Sequence, residues 1–347
     1  MSQHSARGGQ LGSAMASEMA EQPSRLESLA ARREEIARLV APLFEPPLAG
    51  TVIVARGSSD HAATTGRYLI EMATRRPVAS ASPSVHNLYR ADVDFSGYVV
   101  IGVSQSGRTP EIAEVIERAA GRGARTIVLT NDESSPLALD AEVVIGLGAG
   151  VERAVPATKT VTAELLAFAL IAAALRGEPT GAALDALPGH VQTVLDDPAP
   201  MEELAGWLLE ASRLVTVARG PLSGASAEIA LKLAETSLLL ATAYSAADLR
   251  HGPIALASTG LPVLAIAHPG PAAAEVAALA GELVERGADV RLLGPVDGAV
   301  AGWDAAAPES LAPVLAVVRG QQLALARARL LGIDADHPVG LTKVTRT

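Results

Sequence analysis

Ser104-Gln105-Ser106-Gly107 and, two residues on, Thr109-Pro110-Glu111 put three hydroxyls, an amide and a glycine into one short stretch behind the apolar run Val99–Val103. Thr109 as N-cap and Pro110 at the first helical position predict a helix opening near Glu111. Hydroxyls and backbone N–H groups then gather at its positive end, where an anion is held without lysine, and a phosphate monoester suits such a pocket. By itself the Ser-x-Ser-Gly pattern also fits an ordinary polar strand-to-helix turn.

A second set of chemical residues lies far downstream. From Ser226 to Leu240 the chain is mostly Ala, Ile and Leu, a predicted helix with Glu228, Lys232 and Glu235 at i, i+4 and i+7. Alone, that stripe fits a solvated face with a Glu–Lys pair worth a few tenths of a kcal/mol. The next segment, Tyr244 to His251-Gly252-Pro253, ends in a tight turn carrying an imidazole. A carboxylate and a histidine in one local unit are what proton transfer about a carbonyl requires. The apolar helix around Glu235 predicts enough burial to raise its pKa towards neutral.

These residues need elements to position them. After a loose leader, residues from Met19 to Val40 read as helix, stopped by Pro42, Pro46 and Pro47. Strands are predicted at 52–54, 78–80, 99–103, 126–129 and 143–145, with helices at 61–72, 111–122 and 164–175 between and after them. Gly57-Ser58-Ser59-Asp60 is a turn and cap. This alternation predicts an α/β fold with right-handed crossovers and a parallel sheet flanked by helices. The pattern then repeats: Val54-Ala-Arg56-Gly57 recurs as Val217-Ala-Arg219-Gly220, and Arg122-Gly-Ala124 as Arg286-Gly-Ala288, in nearly one register. In that register Ser104–Gly107 aligns with Ala267-His268-Pro269-Gly270, so only the first copy keeps the hydroxyl loop. The expected organisation is two tandem αβα units: a flexible leader over 1–20, a first domain over 21–195, a second over 196–332, and a tail over 333–347 that closes over the site.

Totals narrow the functional classes. At 347 residues the chain exceeds one usual core. Its net charge of −10 argues against nucleic acid or an anionic membrane as partner. No cysteine is present, which removes disulfides, thiolate zinc sites and a cysteine nucleophile, and makes the cytoplasm the simplest address. No secretory or membrane segment is predicted. Seven histidines, at 4, 61, 86, 190, 251, 268 and 337, include no helical ligand pair, so neither a metal nor a cofactor is expected.

In this setting the Ser104–Thr109 stretch resembles the phosphate loop of the SIS (sugar isomerase) family. Glu228-Ile-Ala-Leu-Lys232-Leu-Ala-Glu235, with Ala243-Tyr244 through Asp248 to His251-Gly252-Pro253, is similar to the signature of the isomerase half of glucosamine-6-phosphate synthase and of SIS-type glucosamine-6-phosphate deaminases. Glu21-Gln22-Pro23, Arg56–Ser59, Val155–Lys159 and Asp334–Lys343 extend the resemblance over nearly the whole chain. It implies that Ser104, Gln105, Ser106 and Thr109 bind the sugar phosphate, with Ser58 and Ser59 in the same pocket. Glu235 would move the proton between C1 and C2 with Lys232 beside it, and His251 would open the ring from a neighbouring subunit. Lys343 would line the site from the tail, and Gly57, Ala157 and Glu228 would contact substrate. A homodimer with a shared site follows from the same resemblance.

Two departures separate the family's branches. The synthase carries a glutaminase with a cysteine nucleophile, and neither is expected here. Where it reads Ser-Thr-Lys, this chain reads Ala157-Thr158-Lys159, as deaminase-type members do. The expectation is a metal-independent deaminase turning glucosamine 6-phosphate into fructose 6-phosphate and ammonia. The alternatives are another phosphosugar deaminase or aldose-ketose isomerase, an ammonia-fed aminating enzyme, and a non-catalytic sugar-phosphate sensor.

Overall fold

The computed structural model describes residues 11–177 and 181–343. His4 and the first half of the expected leader lie outside the described residues. In chain order the elements are α1 (Ser13–Ala20), α2 (Gln22–Ala30), α3 (Arg33–Val40), β1 (Gly50–Val54), α4 (Ser58–Thr74), β2 (Val78–Ser80), α5 (Pro83–Asn87), β3 (Tyr98–Ser104), α6 (Pro110–Gly121), β4 (Arg125–Thr130), α7 (Pro136–Leu139) and β5 (Val143–Gly146). There follow α8 (Lys159–Arg176), α9 (Gly181–Leu195), α10 (Ala199–Trp207), β6 (Arg213–Ala218), α11 (Leu222–Ser237), β7 (Leu240–Ser245), α12 (Ala246–Arg250), β8 (Pro262–Ile266), α13 (Ala273–Glu285), β9 (Asp289–Leu293) and α14 (Ala312–Leu330).

Two compact units result. The first comprises Ser24–Val151 and Thr160–Ala186; the second comprises Glu152–Lys159 and Leu187–Lys343 with the described start of the chain through Pro23. The segment 152–159 thus belongs with the second sheet although it precedes α8. In the first unit five parallel strands run in the order β2-β1-β3-β4-β5, and in the second four run β7-β6-β8-β9. Central strands of a parallel sheet are covered on both faces. β3 obeys this, with Val99, Val100, Ile101 and Val103 all fully buried.

The same helix packs at the same place in both sheets. Ile112, Val115 and Ile116 of α6 close over Val54, Val100 and Val128. Val276, Leu279 and Leu283 of α13 close over Val215, Val217, Val263 and Ala265. Each such aliphatic side chain contributes about 1.5–3 kcal/mol on burial, so the β-branched strand runs and the apolar stripes of these helices are sufficient cause for the alternation. In the second unit α14 approaches α11 closely. A Cβ on Gly320 would stand 2.3 Å from Cγ1 of Ile229.

Three expectations are corrected. The leader is not loose throughout: residues 13–20 form α1, whose Met15 and Met19 pack with Ala154, Leu325, Ala328 and Ala335. The carboxylate of Asp336 accepts the N–H groups of Ala14 and Met15 at 2.9 and 2.7 Å, a tie that local composition cannot reveal. The helix expected from Met19 to Val40 is broken, with α2 ending at Ala30 and α3 beginning at Arg33. The helix expected through Leu240 ends at Ser237, because Leu238 takes the left-handed region at φ 54°. Leu238, Leu239 and Leu240 then alternate exposed, buried, exposed, a strand's pattern within an apolar triplet. No helix among the described residues is long and apolar enough to cross a membrane.

Candidate active site

In the first unit β1 and β3 are neighbours whose following helices start a crevice at the carboxyl ends of the strands, where the strand order reverses. The loops carrying Gly57-Ser58-Ser59 and Ser104–Thr109 both open there. Thr109 is extended (φ −80°, ψ 109°) ahead of Pro110, as an N-cap should be, but its hydroxyl makes no capping bond. Instead it lies 3.4 Å from the Ser104 hydroxyl, so two hydroxyls converge at the positive end of α6. The loop is tied internally by Gly107 N–H donating to the Ser104 hydroxyl at 3.2 Å and Arg108 N–H donating to the Ser106 hydroxyl at 3.3 Å. Gln105 and Ser106 are half-buried and Arg108 is exposed.

A second loop braces the first. The N–H groups of Asn131 and Leu137 donate to the carbonyls of Gln105 and Gly107 at 3.0 and 3.1 Å. Gly107 sits at φ +60°, and a Cβ there would meet the Ser135 hydroxyl at 1.9 Å, so glycine alone fits. Glu111, in the first turn of α6, pairs with Arg56 at 2.9 Å and accepts from the Asn87 amide at 3.1 Å. Ser58, half-buried, opens α4 behind Gly57. The buried hydroxyl of the next residue, Ser59, donates to Glu164 at 2.8 Å.

In the second unit α11 carries the charged stripe. Lys232 is buried to 1 % exposure, with its ammonium 2.5 Å from Glu235 and 3.3 Å from Glu228. Burial pulls the Lys232 pKa down, and the carboxylates of Glu228 and Glu235 more than offset this, leaving it above the ordinary lysine value. The two acids differ in exposure. Glu228 is 1 % exposed, whereas Glu235 is 21 % exposed. Glu235 is thus buried only in part: the acid fully enclosed is Glu228, one turn below the ammonium. Glu235 stands at the accessible end of the stripe as the partner of a fixed cation.

Ser245 caps α12, accepting from Asp248 N–H at 3.1 Å, and this short helix delivers His251 to an exposed turn where Gly252 adopts φ 119°. Lys343 donates to Glu152 at 2.7 Å, and Glu152 also accepts from the backbone N–H and hydroxyl of Thr158. Ala157, half-buried, is next to that contact. The structure thus gathers Ser104, Gln105, Ser106, Thr109, Gly57 and Ser58 at the crevice of one unit. In the other it gathers Glu228, Lys232 and Glu235 on α11, and Ala157 and Lys343 near Glu152. α14 serves both of the latter groups, since its Gln321 donates to the Thr158 carbonyl at 3.1 Å while Gly320 admits α11.

Glu152, Glu164 and Asn131 are the residues that sequence reasoning passed over. The one available signal for Glu152 was an acid directly ahead of the Val155–Lys159 match. The second copy's equivalent turn is filled by its own side chains. His268 is buried and accepts from the Trp303 indole at 3.1 Å with the rings stacked. Burial lowers the His268 pKa, against a hydrogen bond at Ala307 that raises it.

The SIS domain family model matches residues 51–174 and 207–294, more than half of the chain. The glutamine–fructose-6-phosphate aminotransferase [isomerizing] of Gloeobacter violaceus is 36 % identical over 311 residues, 84 % of this chain and 51 % of that protein. Its namesake in Methanothermobacter thermautotrophicus is 29 % identical over 337 residues, 95 % and 56 % of the two chains. The chain spans about half the length of the curated relatives it matches. Among solved structures, one described as a phosphosugar isomerase from Silicibacter pomeroyi DSS-3 superposes with a TM-score of 0.86 at 33 % identity, covering 93 % of this chain and 99 % of that one. Glucosamine-6-phosphate deaminase from Thermotoga maritima superposes at 0.77 with 24 % identity over 96 % and 100 %, a likeness of fold. The duplicated parallel sheets, the hydroxyl loop at the first switch point and these matches agree that the chain belongs to the SIS domain family.

Proposed function

We propose that the chain binds a phosphorylated amino hexose and deaminates glucosamine 6-phosphate to fructose 6-phosphate and ammonia. The observation that carries this reading is Glu235: a partly exposed carboxylate that accepts from the buried Lys232 ammonium at 2.5 Å. A carboxylate held beside a fixed ammonium yet open to solvent can reach a carbon-bound proton, which is the geometry general-base catalysis requires. The sugar phosphate sits against the hydroxyls of Ser104, Ser106 and Thr109 with Gln105 and Ser58 beside them, and its binding energy orients C1 and C2. His251 of a neighbouring copy opens the ring, in keeping with its exposure in the single chain. Glu235 takes the C2 proton and returns it to C1 while a proton passes from the amino nitrogen to O1, leaving a hydroxymethyl C1 and an imine at C2. Water adds to C2, ammonia departs, and the ketone remains. No metal is required by this sequence of steps.

The names of the curated relatives favour a second reading, the amination of fructose 6-phosphate, which runs through the same intermediates in reverse. One experiment separates the possibilities. Purified protein is mixed with glucosamine 6-phosphate and ammonia is measured, then with fructose 6-phosphate and ammonium, then with other phosphosugars. Glu235→Gln is expected to keep ligand affinity and lose turnover about a thousandfold. Wild-type turnover in Glu235→Gln would overturn the role of Glu235. Binding without turnover in both forms would make the chain a sensor.

A further inference from the structure

Glu152 has no part in the proton transfer, yet its side chain is fully buried. A buried carboxylate needs a counter-charge and hydrogen bonds. Its two oxygens are served differently. Oε1 accepts from the Thr158 N–H at 2.9 Å and hydroxyl at 3.2 Å, partners six residues away on the same segment, which hold the carboxylate in place. Oε2 receives the Lys343 ammonium, which comes from 191 residues away on the tail. The surroundings favour a cation there. Glu18 accepts the N–H groups of Arg153 and Ala154 on the same segment, and burial together with the nearby Glu152 raises its pKa.

The tail itself is a strap with an anchor at each end. At the near end the Asp336 carbonyl accepts Val155 N–H at 3.0 Å while its carboxylate holds α1. Between the anchors, Val339 and Leu341 are exposed. The far anchor is Lys343. Composition gives that residue weight: Lys159, Lys232 and Lys343 are the only lysines among 28 lysines and arginines. Surface pairs in this chain use arginine, as in Arg33–Asp185, Arg118–Glu114 and Arg286–Glu282. The lysines are less exposed than those arginines: Lys159 (1 %) meets Glu21 at 2.9 Å, Lys232 (1 %) meets Glu235 and Lys343 (22 %) meets Glu152. A lysine is a compact point charge on a flexible stem, suited to entering a closed carboxylate site and leaving it again.

We propose that Glu152 is the positioning residue of Lys343: its enclosed carboxylate, fixed by Thr158, docks the tail ammonium and so holds the strap in register. This deepens the sugar-phosphate reading, and its catalytic consequence rests on that reading. The docking is testable without turnover, because the chain has so few lysines. Brief acylation with an N-hydroxysuccinimide ester at one pH, read by mass spectrometry, reports on Lys159, Lys232 and Lys343 separately. Glu152→Gln is expected to speed labelling of Lys343 roughly threefold or more with the other two unchanged, the latter serving as the check on folding. In turnover of glucosamine 6-phosphate, Glu152→Gln should lower kcat about tenfold with KM little changed. The Glu152→Gln/Lys343→Met double variant should be no slower than Lys343→Met alone. Unchanged labelling of Lys343 in Glu152→Gln, or penalties that multiply in the double variant, would overturn the proposal. If Glu152→Gln does not fold, hydrogen exchange of residues 337–342 in Lys343→Met decides: faster exchange supports docking and unchanged exchange refutes it. A wild-type chain that turns over no phosphosugar would defeat the functional reading while the labelling still judges the docking.

Discussion

Lys232 is enclosed between two acids of unequal exposure, and removing it exposes what each acid costs. Lys232→Met leaves Glu228 buried without its cation, which should destabilise the second unit by about 3–5 kcal/mol in a urea titration. Glu228→Gln added to Lys232→Met should recover much of that loss, since the orphaned charge is then gone. The sign of the pH effect follows from the raised Lys232 pKa. A cationic group raised on folding contributes fully below its unfolded value, and that contribution fades only as pH rises through the folded one. The Lys232 ammonium therefore adds no pH dependence near neutrality. At this scale the sequence was legible as a stripe at helical spacing. Which acid is enclosed was not, because tertiary packing sets exposure, not the order of residues along α11.

The loop between β3 and α6 is legible for the opposite reason: its cap, its proline and its hydroxyls are all local. What braces it is not local. Asn131 and Leu137 reach its carbonyls only because β4 lies beside β3 in the sheet. Gly107 records that contact in its backbone. Gly107→Ala forces both a left-handed alanine and a clash with Ser135, about 1–3 kcal/mol of strain. The expected outcome is a folded protein whose affinity for glucosamine 6-phosphate, measured by calorimetry, falls about tenfold or more. Glu152 escaped the sequence for the same reason as Asn131: its partner Lys343 is distant along the chain and meets it only in the folded unit.

Across the whole chain the duplication is visible in the sequence as a repeated Val-Ala-Arg-Gly, and the structure adds an ion pair to it. Arg56 meets Glu111 at 2.9 Å in the first copy and Arg219 meets Glu275 at 3.0 Å in the second. Each ties the loop after the copy's first strand to the opening turn of the equivalent helix, α6 or α13. Both pairs are partly exposed, so each contributes about 0–1 kcal/mol to stability. Their loss should differ in function. Arg56→Ala is expected to weaken sugar-phosphate binding severalfold by loosening the first turn of α6, and Arg219→Ala to leave binding unchanged, as equilibrium titrations would report.

The sealed turn of the second copy has a consequence of another kind. Trp303 stacks on His268 and Trp207 donates to Asp289 at 2.7 Å, and these are the chain's two tryptophans, both in the unit of the second sheet. The unit with the hydroxyl loop has only tyrosine and phenylalanine as its aromatics. Indole emission is thus a one-sided gauge, blind to the half that carries the hydroxyl loop. Melting followed by fluorescence and melting followed by ellipticity would coincide only if the two halves lose their structure in a single step.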